Sequence, residues 1–366
     1  MSRPRWGVIG LGVGRQHALA LERVADAELV ALCDRDREAL ALTGSELSEV
    51  ETYEDENDLL DSGKIDAVVI ATYDNEHAAA IIRAINNGLH VFAEKPLVTS
   101  RAELTLIRSA LDRQPQVRLS TNTLLRRSPR FEWLKSRISS GQLGDLFHVE
   151  GDYLYGRLAK LTEGWRGNDP DYSVTLGGAI HIVDLLMWLA SERPVRVTAI
   201  GSGKGFRDSP LSEGSSFRGD DFRVALLEFD SGLTAKISAN FACVLPHFHR
   251  VDVFGSRETF LHVPGTGGTG SDGSSGLLFT SRETEETPTI VDLPYPAVPK
   301  AALLHEFNRV ILGAGVLDIS EQEALDVMAV CLAMDESRRE GRPVDVVYEQ
   351  VLPRRAWRDE AGEVRF

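Results

Sequence analysis

Short apolar runs alternate with helix-like segments along the first third of the chain. Four runs are apolar enough to form buried strands, at residues 6–9, 29–33, 65–71 and 89–93. Helical spacing of apolar residues follows at 15–21 and 78–87, and Gly88 is placed to end the second helix. Repeated alternation of strand and helix predicts a parallel sheet, and such sheets bind ligands at the carboxyl ends of their strands.

A glycine-rich turn separates the first strand from the first helix. Gly10, Gly12 and Gly14 fall between them, with Val13 just before the last glycine. Glycine allows a sharp turn and a close approach of a pyrophosphate, and the N–H groups at the helix start favour its negative charge. The third glycine comes one residue earlier than is usual for this motif, so a plain turn is the alternative interpretation.

The second strand ends in an acidic residue. Asp34 follows the glycines by about 20 residues, the position of a carboxylate that accepts hydrogen bonds from the adenosine ribose hydroxyls. A carboxylate there repels a 2′-phosphate, which favours NAD over NADP. Arg35 keeps NADP possible, because a neighbouring guanidinium can hold that phosphate. A cap at the strand end is the alternative interpretation of Asp34.

Further polar residues follow the later strands, at what should be the same edge of the sheet. We predict that three of them border the cofactor: Thr72, His77 and Lys95. Lys95 has the strongest chemical rationale, because a desolvated ammonium stabilises the negative charge that builds on an oxygen as hydride leaves its carbon. It can also exchange a proton with that hydroxyl. A solvent-exposed loop lysine is the alternative.

Strand patterns dominate the rest of the chain. They are predicted at 147–155, 199–202, 222–229, 233–241 and 250–254, with helices at 131–139, 176–189 and 324–338. A segment rich in Gly, Ser and Thr at 264–276 predicts a flexible loop. A length of 366 residues suits two domains. We predict a dinucleotide-binding domain over 1–124 and a substrate-binding α/β domain over 125–366.

The composition limits the binding partners and the cellular location that we expect for the protein. The formal net charge of −15 argues against nucleic acid and anionic membranes as partners. The three cysteines share no metal-ligand spacing, and His247 and His249 lack a third ligand, so no metal site is predicted. No apolar run is long enough to span a bilayer and no signal-peptide pattern precedes the first strand, so a cytoplasmic location is expected.

The triplet Glu94-Lys95-Pro96, directly after a core strand, resembles the signature of the Gfo/Idh/MocA oxidoreductase family. The glycine turn, Asp34 and the stretch at 177–184 strengthen the resemblance, which extends over nearly the whole chain. It implies an N-terminal Rossmann domain with a doubly wound parallel sheet and a C-terminal α/β domain with an open, largely antiparallel mixed sheet. The resemblance also implies that Glu94 lies near the nicotinamide and that Asn122 borders the cofactor cleft. It further implies a cis bond before Pro96 and a homo-oligomer, either a dimer or a tetramer.

A second group of candidate residues lies in the predicted substrate domain. His181 and Asp184 are three apart on one face of the apolar helix, so the carboxylate can hold the imidazole tautomer for a substrate hydroxyl. A satisfied buried His–Asp pair is the alternative. Trp165 and Arg166, in a predicted loop, resemble a pair that the family places against its substrate. We add Tyr155, at a strand end, to the predicted substrate contacts.

Two positions leave the assignment of roles open. Arg126 is a candidate for a cofactor contact, a substrate contact or a surface cap. Gly177 stands four residues before His181, at a position where many members of the Gfo/Idh/MocA family carry an aspartate. Either Asp184 or another residue then supports His181, or Lys95 is the main proton-transfer group. Weak catalysis and a substrate unlike inositol are further alternatives.

The leading prediction for function is an NAD(P)-dependent dehydrogenase or reductase. It would transfer hydride between nicotinamide and a carbinol carbon of a sugar, a cyclic polyol or a sugar derivative. A second interpretation keeps NAD tightly bound and shuttles hydride within one cycle, which gives hydrolysis, epimerisation or exchange between two substrates. A third is a nucleotide-binding sensor without turnover.

Overall fold

The computed structural model describes residues 3–169, 172–265, 273–283, 285–352, 357–358 and 364–365. The chain divides into two compact units. The first comprises 1–122, 299–328 and 348–366, and the second comprises 123–298 and 329–347. The opening segment of the first unit ends close to the predicted boundary at 124, whereas its two later segments fall within the predicted second domain. The loop predicted at 264–276 lies largely outside the described residues.

A six-stranded parallel sheet forms the core of the first unit. Its strands are β1 (Arg5–Ile9), β2 (Glu28–Cys33), β3 (Glu51–Tyr53), β4 (Ala67–Ile70), β5 (His90–Ala93) and β6 (Leu119–Thr121). The helices of the same stretch are α1 (Gly14–Leu21), α2 (Arg37–Gly44), α3 (Glu56–Leu60), α4 (His77–Asn86) and α5 (Arg101–Arg113). The strands run in the order β3-β2-β1-β4-β5-β6, and every neighbouring pair is parallel. This is the order of a doubly wound dinucleotide-binding sheet, so the predicted Rossmann fold is confirmed.

Local sequence accounts for most of these elements. Every residue of β4 is buried, as expected of a central parallel strand with helices on both faces. α4 buries Ala78, Ile81 and Ile85, which share one face at helical spacing. Ser100 caps α5, and the side chain of Glu103 completes a capping box. β3 was not predicted, because three partly exposed residues carry too little pattern.

A nine-stranded mixed sheet forms the core of the second unit. Its strands are β7 (Leu146–Leu154), β8 (Arg196–Ser202), β9 (Phe222–Glu228), β10 (Thr234–Asn240), β11 (Phe248–Gly255), β12 (Thr259–Val263), β13 (Ser275–Phe279), β14 (Thr289–Val291) and β15 (Val344–Asp345). The helices that precede β14 in this unit are α6 (Pro129–Ser139), α7 (Gly164–Gly167), α8 (Ile180–Ala190) and α9 (Lys204–Arg207). The strand order is β14-β13-β12-β11-β7-β10-β9-β8-β15, and only the β10–β7 pair is parallel. The predicted open, largely antiparallel sheet is confirmed.

Glycine at 151 lets helix α8 lie close to the sheet of the second unit. A side chain at Gly151 in β7 would collide with Ile182 and contact Leu186, both of which are buried on α8. A small residue at the strand therefore fixes the depth at which α8 packs. This matters for the site, because α8 also carries His181.

Two later helices are α10 (Ala302–Ile311) and α11 (Glu321–Glu340), and two short strands are β16 (Trp357–Arg358) and β17 (Val364–Arg365). α10 explains why its segment belongs to the first unit. The ring of Phe307 lies 6.0 Å from that of Trp6 in β1, and the Trp6 indole N–H donates to the side-chain oxygen of Asn308 at 2.9 Å. Within the described residues we find no helix with the length and apolarity needed to span a membrane.

Candidate active site

Each glycine of the turn after β1 has its own physical reason. Gly10 has a φ of +84°, and a Cβ there would lie 2.5 Å from the carbonyl oxygen of Ala71. A Cβ on Gly14 would lie 3.1 Å from the Cβ of Ala71 and 3.2 Å from a methyl carbon of Val8, so the glycine lets α1 begin directly against β1. A Cβ on Gly12 would meet nothing within 4 Å. The turn therefore presents its open side at Gly12, where an incoming pyrophosphate can approach the backbone.

Asp34 lies beside this turn, as predicted from its place after β2. Its Oδ2 accepts a hydrogen bond from the backbone N–H of Leu11 at 2.6 Å, and its Oδ1 accepts one from the N–H of Asp36 at 2.9 Å. Arg35 forms a salt bridge of 2.7 Å with Glu76 and is largely exposed. Hydrogen bonding and charge from Glu76 raise the pKa of Arg35. Because Glu76 already balances the Arg35 charge, the arrangement fits the ribose of NAD better than a 2′-phosphate.

His77 contacts two backbone carbonyls, and its predicted contact with the cofactor stays a prediction. It is buried at the start of α4, and its Nδ1 lies 2.6 Å from the carbonyl oxygen of Pro96. Its Nε2 lies 3.1 Å from the carbonyl oxygen of Thr72. Both ring nitrogens can donate only when the imidazole carries two protons. His77 thus ties together the loops that follow β4 and β5.

The carboxylate of Glu94, at the end of β5, accepts two hydrogen bonds on Oε1. Nε2 of His17 lies at 2.9 Å, and the side-chain N–H of Asn122 donates at 2.7 Å. Burial opposes ionisation, but the hydrogen bond and charge of His17, the bond from Asn122 and the charge of Lys95 together lower the pKa of Glu94. The same Asn122 amide donates to the carbonyl oxygen of Lys300 at 3.0 Å. Asn122 therefore acts here by holding Glu94.

Lys95 follows Glu94 directly and is only partly exposed. The Lys95–Pro96 peptide bond is cis, as the resemblance implied. Leu97 and Val98, which follow, are buried, so the turn that bears the lysine is anchored in the core of the first unit. The position suits an ammonium group that must act from a fixed place at the carboxyl edge of the sheet.

Three buried polar atoms at this edge fit a bound dinucleotide. The side-chain oxygens of Thr72, Thr121 and Asn122 are buried and have no hydrogen-bond partner among the described residues. Buried polar atoms rarely remain unsatisfied, and the polar groups of a nucleotide can supply the partners. Together with the open side of the turn at Gly12, they make the residues present a fit for NAD.

In the second unit, His181 lies on α8 next to an aromatic surface. Its ring stacks on that of Tyr153 at 6.0 Å, and Tyr153 stacks on Tyr155 at 5.5 Å. His247 and His249 complete the surface, with ring centroids 4.6 Å apart. Burial raises the pKa of Tyr153, so its phenol stays protonated. Among the described residues no group of three His, Cys, Asp or Glu side chains could hold a metal ion.

A π-helix, Thr175–Ala179, leads into α8 just before His181. Such segments often occur at functional sites. Arg223 anchors it by donating to the hydroxyl of Thr175 at 2.9 Å and by forming a salt bridge with Asp335. Ser173 donates to the same Asp335 carboxylate at 2.9 Å. The backbone that delivers His181 is therefore fixed by a buried polar network.

Arg126 and Asp184, which are both predicted site residues, form a buried ion pair. The guanidinium donates to the two carboxylate oxygens at 2.9 and 2.7 Å. The side chains are 3% and 0% exposed, respectively. A guanidinium buried and engaged in this way holds α8 in place and is not available as a surface cap. The predicted support of His181 by Asp184 stays a prediction.

Trp165 and Arg166 lie in the one-turn helix α7, where a loop was predicted. The Arg166 guanidinium lies over the Trp165 ring at 4.3 Å, and its Nε donates to the hydroxyl of Tyr172 at 3.1 Å. Tyr172 is buried, and a Cβ at Gly177 would collide with its hydroxyl oxygen. The phenol of Tyr172 thus fills the space that a side chain at 177 would need.

Comparison with known proteins decides the family. A family model for an oxidoreductase family with an NAD-binding Rossmann fold matches residues 4–122, and a model for the Gfo/Idh/MocA C-terminal domain matches 131–261. The chain belongs to the Gfo/Idh/MocA oxidoreductase family. Its first unit is accordingly the NAD-binding Rossmann part of a Gfo/Idh/MocA oxidoreductase.

Relatives within the Gfo/Idh/MocA family include inositol dehydrogenases. The chain is 28% identical to a myo-inositol 2-dehydrogenase of Thermotoga maritima over 69% of this chain and 73% of the relative. It is 27% identical to a scyllo-inositol 2-dehydrogenase (NAD(+)) of Bacillus subtilis over 69% of this chain and 72% of the relative. The structure of scyllo-inositol dehydrogenase from Lactobacillus casei, with NAD(H) and scyllo-inositol bound, matches with a TM-score of 0.72 at 19% identity, over 94% of this chain and 99% of that one.

The Gly177 departure from the Gfo/Idh/MocA pattern has a testable consequence. We expect Gly177→Ala to lower the free energy of unfolding by about 1–3 kcal/mol, because the new Cβ overpacks against Tyr172. Urea unfolding followed by circular dichroism measures the change. Gly44→Ala is the matched control, since a Cβ at Gly44 meets nothing within 4 Å, and it should change stability by no more than about 1 kcal/mol. A Gly177→Ala protein as stable as the wild type would show that Tyr172 does not occupy this space.

Sequence reasoning missed two residues of this site. His17 lies one turn into α1 and is fully buried, and a lone histidine on an apolar helix face carries no functional pattern of its own. Tyr172 lies in an irregular stretch between α7 and the π-helix, where no periodicity marks it. The one clue in the sequence to Tyr172 was the unexpected glycine at 177.

Proposed function

We propose that the protein is an NAD-dependent dehydrogenase that oxidises a carbinol group of a cyclic polyol or sugar, or reduces the corresponding ketone. The observation that carries the proposal is the place of Lys95. It follows β5 of an NAD-binding sheet, next to a Glu94 carboxylate held by two hydrogen bonds. The inositol dehydrogenases among the relatives support a cyclic polyol as substrate.

The first unit supplies the groups that bind the cofactor and act on the substrate oxygen. NAD, when bound, accepts or donates the hydride. The ammonium of Lys95 stabilises the negative charge that develops on the carbinol oxygen and can take up or return its proton. Gly12 and Asp34 are proposed to hold the pyrophosphate and the adenosine ribose, with Thr72 beside them.

The second unit supplies the proposed polyol contacts. His181 offers an imidazole next to the stacked rings of Tyr153 and Tyr155, and the apolar face of a ring can pack against such a surface. Trp165 and Arg166 add a further ring and a planar set of donors. We leave Arg126 out of the proposed substrate contacts, because its guanidinium is buried against Asp184.

Nicotinamide absorbance tests the proposed function directly. Purified protein is mixed with NAD or NADP and a panel of inositols, sugars and open-chain polyols. We expect NAD-dependent turnover with at least one cyclic polyol or sugar. Absence of turnover on the whole panel with both cofactors, in protein that binds NAD, would contradict the proposal. Activity without added cofactor, from protein that retains nicotinamide on purification, would favour an internal hydride shuttle instead.

Asp34 should set the preference between the two cofactors. We expect Asp34→Asn to weaken NAD binding about tenfold, because a charged acceptor of the ribose hydroxyls is lost. NADP should bind no more weakly than before, since the repulsion of its 2′-phosphate is also lost. Fluorescence titration with the reduced cofactors measures both dissociation constants. Asp36→Asn is the matched control. Its amide oxygen can still cap α2, so it should leave both the stability and the NAD/NADP ratio nearly unchanged.

The homo-oligomer that the resemblance implies stays a prediction. Sedimentation analysis of the purified protein would test it.

A further inference from the structure

Glu94 places a fixed negative charge at one particular point of the cofactor sheet. Its side chain is only 12% exposed, and both hydrogen bonds that it receives converge on Oε1. His17, one of the two donors, is fully buried and packs edge-on against Phe92 at 5.7 Å. The carboxylate therefore cannot turn toward solvent without breaking contacts in the core.

The strand order indicates which half of the dinucleotide lies near Glu94. A doubly wound sheet binds one mononucleotide over each half, on either side of the point where the strand order reverses. β1, β2 and β3 form one half, and Asp34 at the end of β2 marks it as the adenosine half. β4, β5 and β6 form the other half, so Glu94 at the end of β5 belongs to the nicotinamide half.

His17 holds the carboxylate of Glu94 through one ring nitrogen. Nε2 of His17 must carry a hydrogen to donate to the carboxylate. Nδ1 is buried and has no hydrogen-bond partner among the described residues. The lowered pKa of Glu94 is consistent with a carboxylate that stays ionised.

We propose that Glu94, positioned by His17 and Asn122, shifts the binding preference of the protein toward the oxidised nicotinamide. The oxidised ring carries a positive charge and the reduced ring is neutral, so a nearby fixed carboxylate stabilises only the oxidised form. In a site partly shielded from water, such a charge has a large effect. His17 and Asn122 act through Glu94 and are positioning residues. This inference depends on the proposed function only through the NAD site.

Isothermal titration with NAD⁺ and with NADH, in the absence of any polyol, tests the proposal. For Glu94→Gln we expect the ratio of the NADH to the NAD⁺ dissociation constant to fall about tenfold, through weaker binding of NAD⁺. His17→Phe keeps an aromatic ring against Phe92 but removes the hydrogen bond, and should shift the ratio in the same direction by a smaller factor. Glu28→Gln, an exposed carboxylate at the start of β2, is the control and should leave the ratio unchanged.

An unchanged ratio in folded Glu94→Gln protein would overturn the inference. If circular dichroism shows that Glu94→Gln does not fold, the His17→Phe variant becomes the test. An unchanged ratio of dissociation constants in His17→Phe would then overturn the inference. The titration and the turnover assay test different claims, so their results can differ. Protein without polyol activity whose ratio still shifts would refute the proposed function and retain this inference, whereas wild-type protein that binds neither nucleotide would overturn both.

Discussion

Lys95→Ala should lower the turnover number by about 10²–10⁴-fold, because the carbinol oxygen loses both its stabilising cation and its proton partner. NAD binding should change little, since the proposed pyrophosphate and ribose contacts lie at the turn after β1 and at Asp34. Initial rates at saturating NAD and polyol, together with titration of NAD, separate the two effects. A Lys95→Ala enzyme with full turnover would remove the proposed mechanism.

Two further lysine variants define what the amine does. Lys95→Arg keeps a positive charge but cannot exchange a proton near neutral pH, so it separates charge stabilisation from proton transfer. Recovery of most of the turnover in Lys95→Arg would indicate that the charge dominates. Lys64→Ala is the matched control in the same unit. Its amine pairs with Glu51 at the surface, and the substitution should leave turnover unchanged.

Arg126→Met should lower the free energy of unfolding by about 3–5 kcal/mol, because it leaves the Asp184 carboxylate buried without its cationic partner. The pair is almost fully removed from water, and both carboxylate oxygens accept bonds from the guanidinium. Chemical unfolding monitored by circular dichroism gives the value. Polyol affinity is read separately from the Michaelis constant, at a temperature where the variant is folded.

The neighbouring arginine supplies the control for this effect. Arg127 pairs with Glu132 at 3.2 Å. This pair lies at the surface, since the two side chains are 40% and 43% exposed. Arg127→Met should therefore cost no more than about 1 kcal/mol. The double change of Arg126→Met with Asp184→Leu should recover most of the lost stability, since no charge then remains buried. Equal stability losses at 126 and 127 would contradict a special role for the buried pair.

Local patterns were enough to predict the parallel sheet of the first unit. Apolar runs of four to seven residues separated by helical segments predict a parallel sheet whatever the tertiary contacts are. Gly10 and Asp34 could be recognised because neither depends on a partner that is distant in the sequence. Gly10 matters through its backbone conformation, and Asp34 stands at the end of a strand. Lys95 could be singled out for two reasons. It lies in the triplet that resembles the Gfo/Idh/MocA signature, and an ammonium group suits the chemistry of hydride transfer from a carbinol.

Partnerships between distant residues could not be predicted in the same way. His17 reaches Glu94 across 77 positions, and Arg126 reaches Asp184 across 58. Neither pair leaves a mark in the spacing of apolar residues. Asp184 was predicted to support His181 because the two are close in sequence, and that spacing gave no sign that the carboxylate also pairs with Arg126.

The boundaries of the two units also depend on contacts between distant parts of the chain, which the sequence pattern does not reveal. α10 follows the strands of the second unit in the chain, yet Phe307 and Asn308 pack against Trp6 of β1. An amphipathic helix pattern says that one face is buried, but it does not say against which sheet. A prediction of two consecutive domains therefore assigned 299–328 to the second.

The most direct test of the central claim follows the hydrogen itself. A cyclic polyol that supports turnover is prepared with deuterium on its carbinol carbons and mixed with excess enzyme and NAD⁺, and the nicotinamide is recovered and analysed by mass spectrometry. The account predicts deuterium in the reduced nicotinamide from the wild-type protein and almost none, over the same interval, from Lys95→Ala. Reduced nicotinamide without deuterium from the wild type, or equal labelling from both proteins, would contradict it.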